Sequence, residues 1–285
     1  MHSSGRKWGN EMKTLYVSDL DGTLFNKSKK LSEYSVKIIN QCIEDGMLFT
    51  VATARMPYGC DYRLKELHLK TPGILTNGVF LYDFKEEKVI SAECIDGSTA
   101  MKVTEIFQAN GLSCFVYTYD SDGIHIFFGS EELKSQTQYY SEQALKKCAE
   151  VCKVDDFAHA IDRNKVVYIA YTGSKEQLKP ICQQLDEIKE INYSFYLNIY
   201  NGLYCLEIYS VNASKQNALI KLKEIIQCDE TVVFGDNYND VPMITIADRS
   251  YAPENALPEI KEMVNEVIPD CNEDGVAKFL EKERL

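Results

Sequence analysis

Thr14-Leu15-Tyr16-Val17-Ser18-Asp19-Leu20-Asp21-Gly22-Thr23 is the stretch on which the fold turns. A short, mostly apolar run ends on a carboxylate, the pattern of a strand buried in a parallel sheet. Residues i and i+2 of extended chain point the same way, so Asp19 and Asp21 can reach one site. Gly22 then permits a turn of unusual φ/ψ. In open parallel sheets ligands bind beyond the carboxyl ends of the strands, where Asp19 stands. Asp-x-Asp alone decides little, since calcium loops and glycosyltransferases also carry it.

The flanking sequence extends the pattern. Ser32 is a cap for a helix running to about Asp45, with Gly46 at its stop. Met47–Ala52 reads as the next strand, 63–69 as a helix and Gly73–Thr76 as a third strand, so strand and helix alternate as in a parallel α/β sheet. From about residue 80 the style changes. Residues 79–82 and 88–92 read as a hairpin around 83–87, 98–110 as a helix, and 113–119 with 123–128 as a second hairpin. A long polar helix is predicted over 131–151, with Cys148 and Cys152 on it, then a strand over 166–171 and a helix over 175–188. Residues 194–200 and 204–209 read as a hairpin across Asn201-Gly202. The parallel style returns with a helix over 214–226, a strand over 231–234, and helices over 240–247, 254–264 and 274–283. The expectation is an α/β fold: a Rossmann-like parallel-sheet core formed by 12–82 and 211–285, with an α+β unit inserted at 83–210. Residues 1–11 are expected to be a disordered leader.

Several strand ends carry polar groups. Thr53-Ala54-Arg55 ends the second strand, Asn77-Gly78 the third, and Gly235-Asp236-Asn237-Tyr238-Asn239-Asp240 the last, with Lys215 on the preceding helix. Singly, each has an ordinary reading: a loop aspartate, a helix cap or a solvated lysine. Together they mark one sheet edge as a site.

This set resembles the haloacid dehalogenase-like hydrolase superfamily, and within it the Cof-type, subfamily IIB sugar phosphatases with a large α/β cap. The family's D-x-D-G-T motif is met by Asp19–Thr23, its strand-closing Thr by Thr53, and its Lys by Lys215. Its G-D-x-x-N-D is met by Gly235–Asp240, and its late E-D-G-V by Glu273–Val276. Thr53-Ala54-Arg55 stands where many members have T-G-R. The resemblance implies a Mg2+-dependent phosphomonoesterase in which Asp19 is the nucleophile, forming an aspartyl-phosphate, and Asp21 the acid and base. Asp19, the Asp21 backbone carbonyl and Asp236 would bind Mg2+. Thr53, the Ala54 amide and Lys215 would hold phosphoryl oxygens, with Arg55, Asn77 and Gly78 one step out. Asn239 and Asp240 would orient Lys215 or metal-bound water. The inserted unit would close over the site as a cap that selects the leaving group; Lys165 is its candidate contact. Its tyrosines (Tyr117, Tyr119, Tyr168, Tyr196, Tyr200) read as hairpin packing rather than sugar-stacking groups.

Bulk properties set limits. The chain has 285 residues and net charge −12, which disfavours nonspecific nucleic-acid binding and requires local cations for any anionic ligand. No apolar run approaches the ~20 residues that span a bilayer, and the N-terminus lacks the apolar core of a secretory signal. A cytoplasmic monomer or weak homo-oligomer acting on a small phosphorylated metabolite is expected. Ten cysteines and four histidines lack metal-site spacing, and the cysteines read as reduced, mostly buried thiols. Two alternatives remain: a phosphotransferase or phosphomutase using the same two aspartates, and a non-catalytic phosphometabolite sensor. A glycosyltransferase would leave Lys215 and 235–240 without a role.

Overall fold

Five parallel strands in the order β14-β13-β12-β1-β2 form the central sheet. Their ranges are β1 Thr14–Ser18, β2 Leu48–Val51, β12 Glu230–Phe234, β13 Arg249–Pro253 and β14 Glu266–Ile268. The structure, a computed structural model, describes residues 12–121, 123–130, 133, 150–163, 165–198 and 201–284. Alternation along the strands gives the sheet two buried faces. Leu15, Val17 and Val233 face one core with Leu219 and Leu222 of helix α6 (Lys215–Ile226). Tyr16, Phe49, Val232 and Phe234 belong to the other, with Ile39 of α1 (Glu33–Glu44) and Leu280 of α9 (Gly275–Arg284).

Beyond β2 the sheet continues through one parallel bridge, Ala52 to Ile74. It leads into an antiparallel ribbon of β3 (Gly73–Leu75), β4 (Phe80–Asp83) and β5 (Lys88–Ala92). Between β5 and α6 the chain builds a separate six-stranded sheet in the order β10-β11-β9-β6-β7-β8. Its strands are β6 Phe115–Asp120, β7 Gly123–Phe128, β8 Glu150–Lys153, β9 Lys165–Gly173, β10 Ile191–Leu197 and β11 Tyr204–Ser210. All its pairs are antiparallel except β7–β8. Helices α3 (Gly97–Ala109) and α5 (Lys175–Leu185) pack on one face of it, and the short α4 (Ala158–Arg163) packs on α3. The fold is therefore α/β, a parallel-sheet core assembled from both ends of the chain, with an α+β cap between.

Capping placed several boundaries. Ser32 Oγ accepts from the Ser35 amide, and Gly46 takes φ +101° after the helix, as that sequence foretold. Elsewhere the structure corrects the reading. The helix expected over 63–69 is α2, Pro57–Leu64: Pro57 occupies its first turn, where a missing N–H costs nothing. Residues 240–247 give a 3-10 turn (Tyr238–Asp240) and then α7 (Val241–Ile244). Within 254–264 only α8 (Pro258–Lys261) is helical. Strands β13 and β14 were not anticipated. The tail of the helix predicted over 131–151 is strand β8, which carries Cys152; residues 134–149 lie outside the described set, as do the leader 1–11 and Tyr200. The described pairing of β10 with β11 ends at Leu197 opposite Tyr204. No helix among the described residues is long and apolar enough to cross a membrane.

Candidate active site

The carboxyl edge of the central sheet gathers the polar strand ends. Residue 19 follows β1 and its amide donates to Phe234 O of β12 at 2.9 Å. Asp19 is 5% exposed, and the Lys215 ammonium donates to its Oδ1 at 2.6 Å and to Asp240 Oδ1 at 2.6 Å. Lys215 is 1% and Asp240 0% exposed. A lysine so buried persists only when paired. Burial alone would push its pKa down; the two carboxylates more than offset that and hold it protonated. Asp240 is committed on both oxygens, because its Oδ2 accepts the amides of Asp236 (2.9 Å) and Asn237 (3.1 Å).

Asp236 lies opposite. The carboxylate oxygens of Asp19, Asp236 and Asp240 fall within 4.8 Å of one another, and Thr23 Oγ1 donates to Asp236 Oδ1 at 2.9 Å. Burial, with Asp240 nearby, pushes the Asp236 carboxyl up to about 6. Burial also raises Asp19, against the pull of Lys215. Three carboxylates share one ammonium, so the pocket favours a further cation. Asp19 and Asp236 retain free coordination capacity, and oxygen donors of this kind suit a hard divalent ion; the residues fit such a metal.

Asp21 points elsewhere. Arg55 grips it bidentately, Nε to Oδ2 and Nη2 to Oδ1, both 2.6 Å. Thr53 is buried, its Oγ1 accepting the Arg55 amide at 3.2 Å, whereas Ala54 is exposed. The loop after β3 is drawn to this segment by Thr76 N–H to Arg55 O (3.0 Å) and Asn77 N–H to Thr53 O (2.9 Å). Thr76 and Asn77 both sit at positive φ, +52° and +51°, a costly conformation for a β-branched residue. Asn239 Nδ2 donates to Asn77 Oδ1 at 3.3 Å, closing the rim. Gly78 is buried where a Cβ would come 2.2 Å from Ser214 O, at the cap of the helix bearing Lys215. The structure thus assembles Asp19, Lys215, Asp236 and Asp240, sets Asp21–Arg55 beside them, and links Asn77 to Asn239. Lys165 is separate: exposed, first in β9, with Cys94 in its electrostatic reach.

Sequence reasoning missed Asn255 and Glu207, and quoted Asp274 within the late motif without assigning it a contact. Asn255 Nδ2 donates to Gly22 O at 2.7 Å while its Oδ1 accepts the Cys271 amide at 2.9 Å, tying the nucleophile turn to the C-terminal segment. Asp274 Oδ1 accepts from Ser32 Oγ (2.5 Å) and Ser35 Oγ (2.7 Å), so the late E-D-G-V signature anchors α1. Asn255 and Gly22 lie 233 positions apart, and Asp274 lies 242 and 239 positions from its two serines, so local sequence does not show these contacts. Glu207 lies in β11, hydrogen-bonded by Tyr196.

Comparison with known proteins agrees with this geometry. The sequence profile of the haloacid dehalogenase-like hydrolases matches residues 16–280. The chain is 25% identical over 282 residues to the 5-amino-6-(5-phospho-D-ribitylamino)uracil phosphatase YwtE of Bacillus subtilis, covering 93% of this chain and 96% of that one. It is 24% identical over 277 residues to the pyridoxal phosphate phosphatase YbhA of Escherichia coli, covering 92% and 95%. The subclass IIB sugar phosphatase BT4131 superposes with a TM-score of 0.69 at 18% identity, over 95% of this chain and 98% of that chain. A profile spanning nearly the whole chain, with its motif residues meeting at one sheet edge, makes this protein a member of the haloacid dehalogenase-like hydrolase family, an enzyme of the phosphatase type.

Proposed function

We propose that the chain is a Mg2+-dependent phosphomonoesterase acting on small phosphorylated metabolites, sugar phosphates among them, in the cytoplasm. The observation that carries the reading is the buried Asp19–Lys215–Asp240 chain with Asp236 at ligand distance. An Asp19 oxygen attacks phosphorus in line as the bond to the leaving oxygen breaks. Asp21 gives that oxygen its proton, then takes one from the water that hydrolyses the aspartyl-phosphate. Arg55 holds both oxygens of Asp21, so one of those bonds opens when the proton moves. Arg55 is then available to the substrate. Thr53, the Ala54 amide and Lys215 hold phosphoryl oxygens; Asn77, Gly78 and Asn239 shape the rim, and Asp240 orients Lys215. Bound through Asp19, Asp236 and the Asp21 carbonyl, Mg2+ would offset the repulsion between nucleophile and substrate. The functional division follows as a core of 12–82 and 211–285 and a substrate-selecting cap of 83–210, in which Lys165 is a candidate contact.

Asp19→Asn tests this directly. Turnover of p-nitrophenyl phosphate with Mg2+ should fall by roughly a thousandfold or more while the circular dichroism spectrum is kept. Activity within tenfold of the unaltered protein would show that another group attacks phosphorus.

A further inference from the structure

The cap sheet has two unlike faces. Tyr171 points toward α3, its ring 5.8 Å from that of Phe107. Tyr168 lies on the opposite face with Tyr117, the rings edge to face at 5.3 Å. Strand pairing sets Ala170 opposite Glu207, and Cys205 opposite Tyr196. With period-two alternation this places Tyr168, Ser194, Tyr196, Cys205, Glu207 and Tyr209 on that second face. The same face meets the core: Tyr119, two residues from Tyr117, packs on Phe80 of β4 at 6.3 Å and donates to Val89 O at 3.4 Å. Tyr58 of α2, three residues beyond Arg55, lies in electrostatic reach of Tyr168.

Glu207 is out of character there. Glutamate is disfavoured within strands, and desolvation raises this one. One phenol holds it, Tyr196 donating to its Oε1 at 2.8 Å, and Tyr168 lies within electrostatic reach of the carboxylate. Tyr168 is buried, but Glu207 is only half-buried and Tyr196 is 45% exposed. A half-buried carboxylate with one oxygen bonded by Tyr196 has lone pairs to spare for a hydrogen bond from outside the chain. None of these six residues is basic; Lys165, the register partner of Tyr119, stands on the same face at the start of β9. Position fits as well. Glu207 stands three residues before the end of β11, about 10 Å along the strand, and Lys215 lies five residues past that end. The strand that bears Glu207 thus leads directly into the helix that carries Lys215.

We propose that Glu207, positioned by Tyr196, selects the leaving group: it accepts hydrogen bonds from a neutral, hydroxyl-bearing leaving group and repels one carrying a carboxylate or second phosphate. The proposal rests on the phosphatase reading above. Its discrimination works by an unpaired like charge against the wrong ligand as much as by attraction to the right one. It also weighs against a bisphosphate-dependent mutase.

Glycerol 3-phosphate and 3-phosphoglycerate form a matched pair, differing by a hydroxymethyl against a carboxylate. Each is measured as a competitive inhibitor of p-nitrophenyl phosphate hydrolysis, so neither needs to be turned over. The unaltered protein should bind glycerol 3-phosphate at least about tenfold more tightly, and in Glu207→Gln that preference should shrink to about twofold or less. Tyr196→Phe, at an exposed position that tolerates the change, should shrink it part-way. A preference absent in the unaltered protein, or unmoved in both variants, overturns the proposal. Failure of the phosphatase reading looks different: the unaltered protein would not hydrolyse the aryl phosphate at all.

Discussion

Two glycines show how tightly the catalytic edge is fitted. Gly22 holds φ +94°, and a Cβ there would lie 2.5 Å from Asp236 Oδ2; Gly78 holds φ +98° against the Ser214 backbone. Left-handed backbone costs an alanine about 1–2 kcal/mol, and overpacking adds about 1–3 kcal/mol. The consequences should differ, because the obstructing atoms differ. Gly22→Ala displaces a carboxylate that can swing aside, so the chain should fold but need a several-fold higher Mg2+ concentration for half-maximal activity. Gly78→Ala meets backbone that cannot move without carrying Lys215 with it, so it should lower both the melting temperature and kcat. A Gly22→Ala protein with an unaltered Mg2+ requirement would remove Asp236 from the metal site.

Among the elements, helix α1 has a long-range dependence. Its cap, Ser32, and first-turn Ser35 both donate to Asp274, which takes φ +60° at the start of α9. Hydrogen bonds to a charged acceptor contribute about 1.5–3 kcal/mol each when well formed, less at this half-buried position. Asp274→Ala should therefore cost about 2–4 kcal/mol overall, read as a lower thermal midpoint, with kcat toward aryl phosphate retained at low temperature. A shift under 1 °C would mean the serines are satisfied by water. The same elements show what a sequence makes legible. Ser32 and Gly46 bound α1 by local chemistry, and β1 reads as buried because every residue after Thr14 is so. Strands β13 and β14 do not, since Arg249–Pro253 begins on a charge and ends on a proline, and Glu266–Ile268 is only three residues long. The four residues of β8 follow a polar run that mimics a helix, and only pairing with β7 makes them a strand. For the site, the aspartates and Lys215 could be found because their order and spacing are fixed by strand ends. Asn255 and Glu207 could not, because their partners come from distant sequence and from cross-strand register.

At the scale of the whole molecule, charge at one edge couples folding to cation binding. The chain carries net −12, and the site adds local strain: among the described residues, Asp19, Asp236 and Asp240 converge with Lys215 ion-paired to two of them. A ligand that binds only the folded state stabilises it by about 2.7 kcal/mol at a hundred times its Kd, roughly 5–10 °C for a chain of this size. Saturating Mg2+ should raise the thermal midpoint by that amount over EDTA at matched ionic strength, and Asp236→Asn should abolish the rise. The sign of the pH effect follows from Asp236. Its folded-state pKa near 6 exceeds the ordinary aspartate value of about 3.9, so the folded protein binds the proton more tightly. The associated stability is present at low pH and is lost as pH rises through about 6. Metal-free protein should therefore lose part of its midpoint between pH 5 and pH 8. Asp236→Asn should flatten that slope, and Mg2+ should flatten it in the unaltered protein by taking the proton's place. A Mg2+ response that survives Asp236→Asn at full size would move the cation away from this edge and leave the Asp19–Lys215–Asp240 chain as a purely structural ion pair.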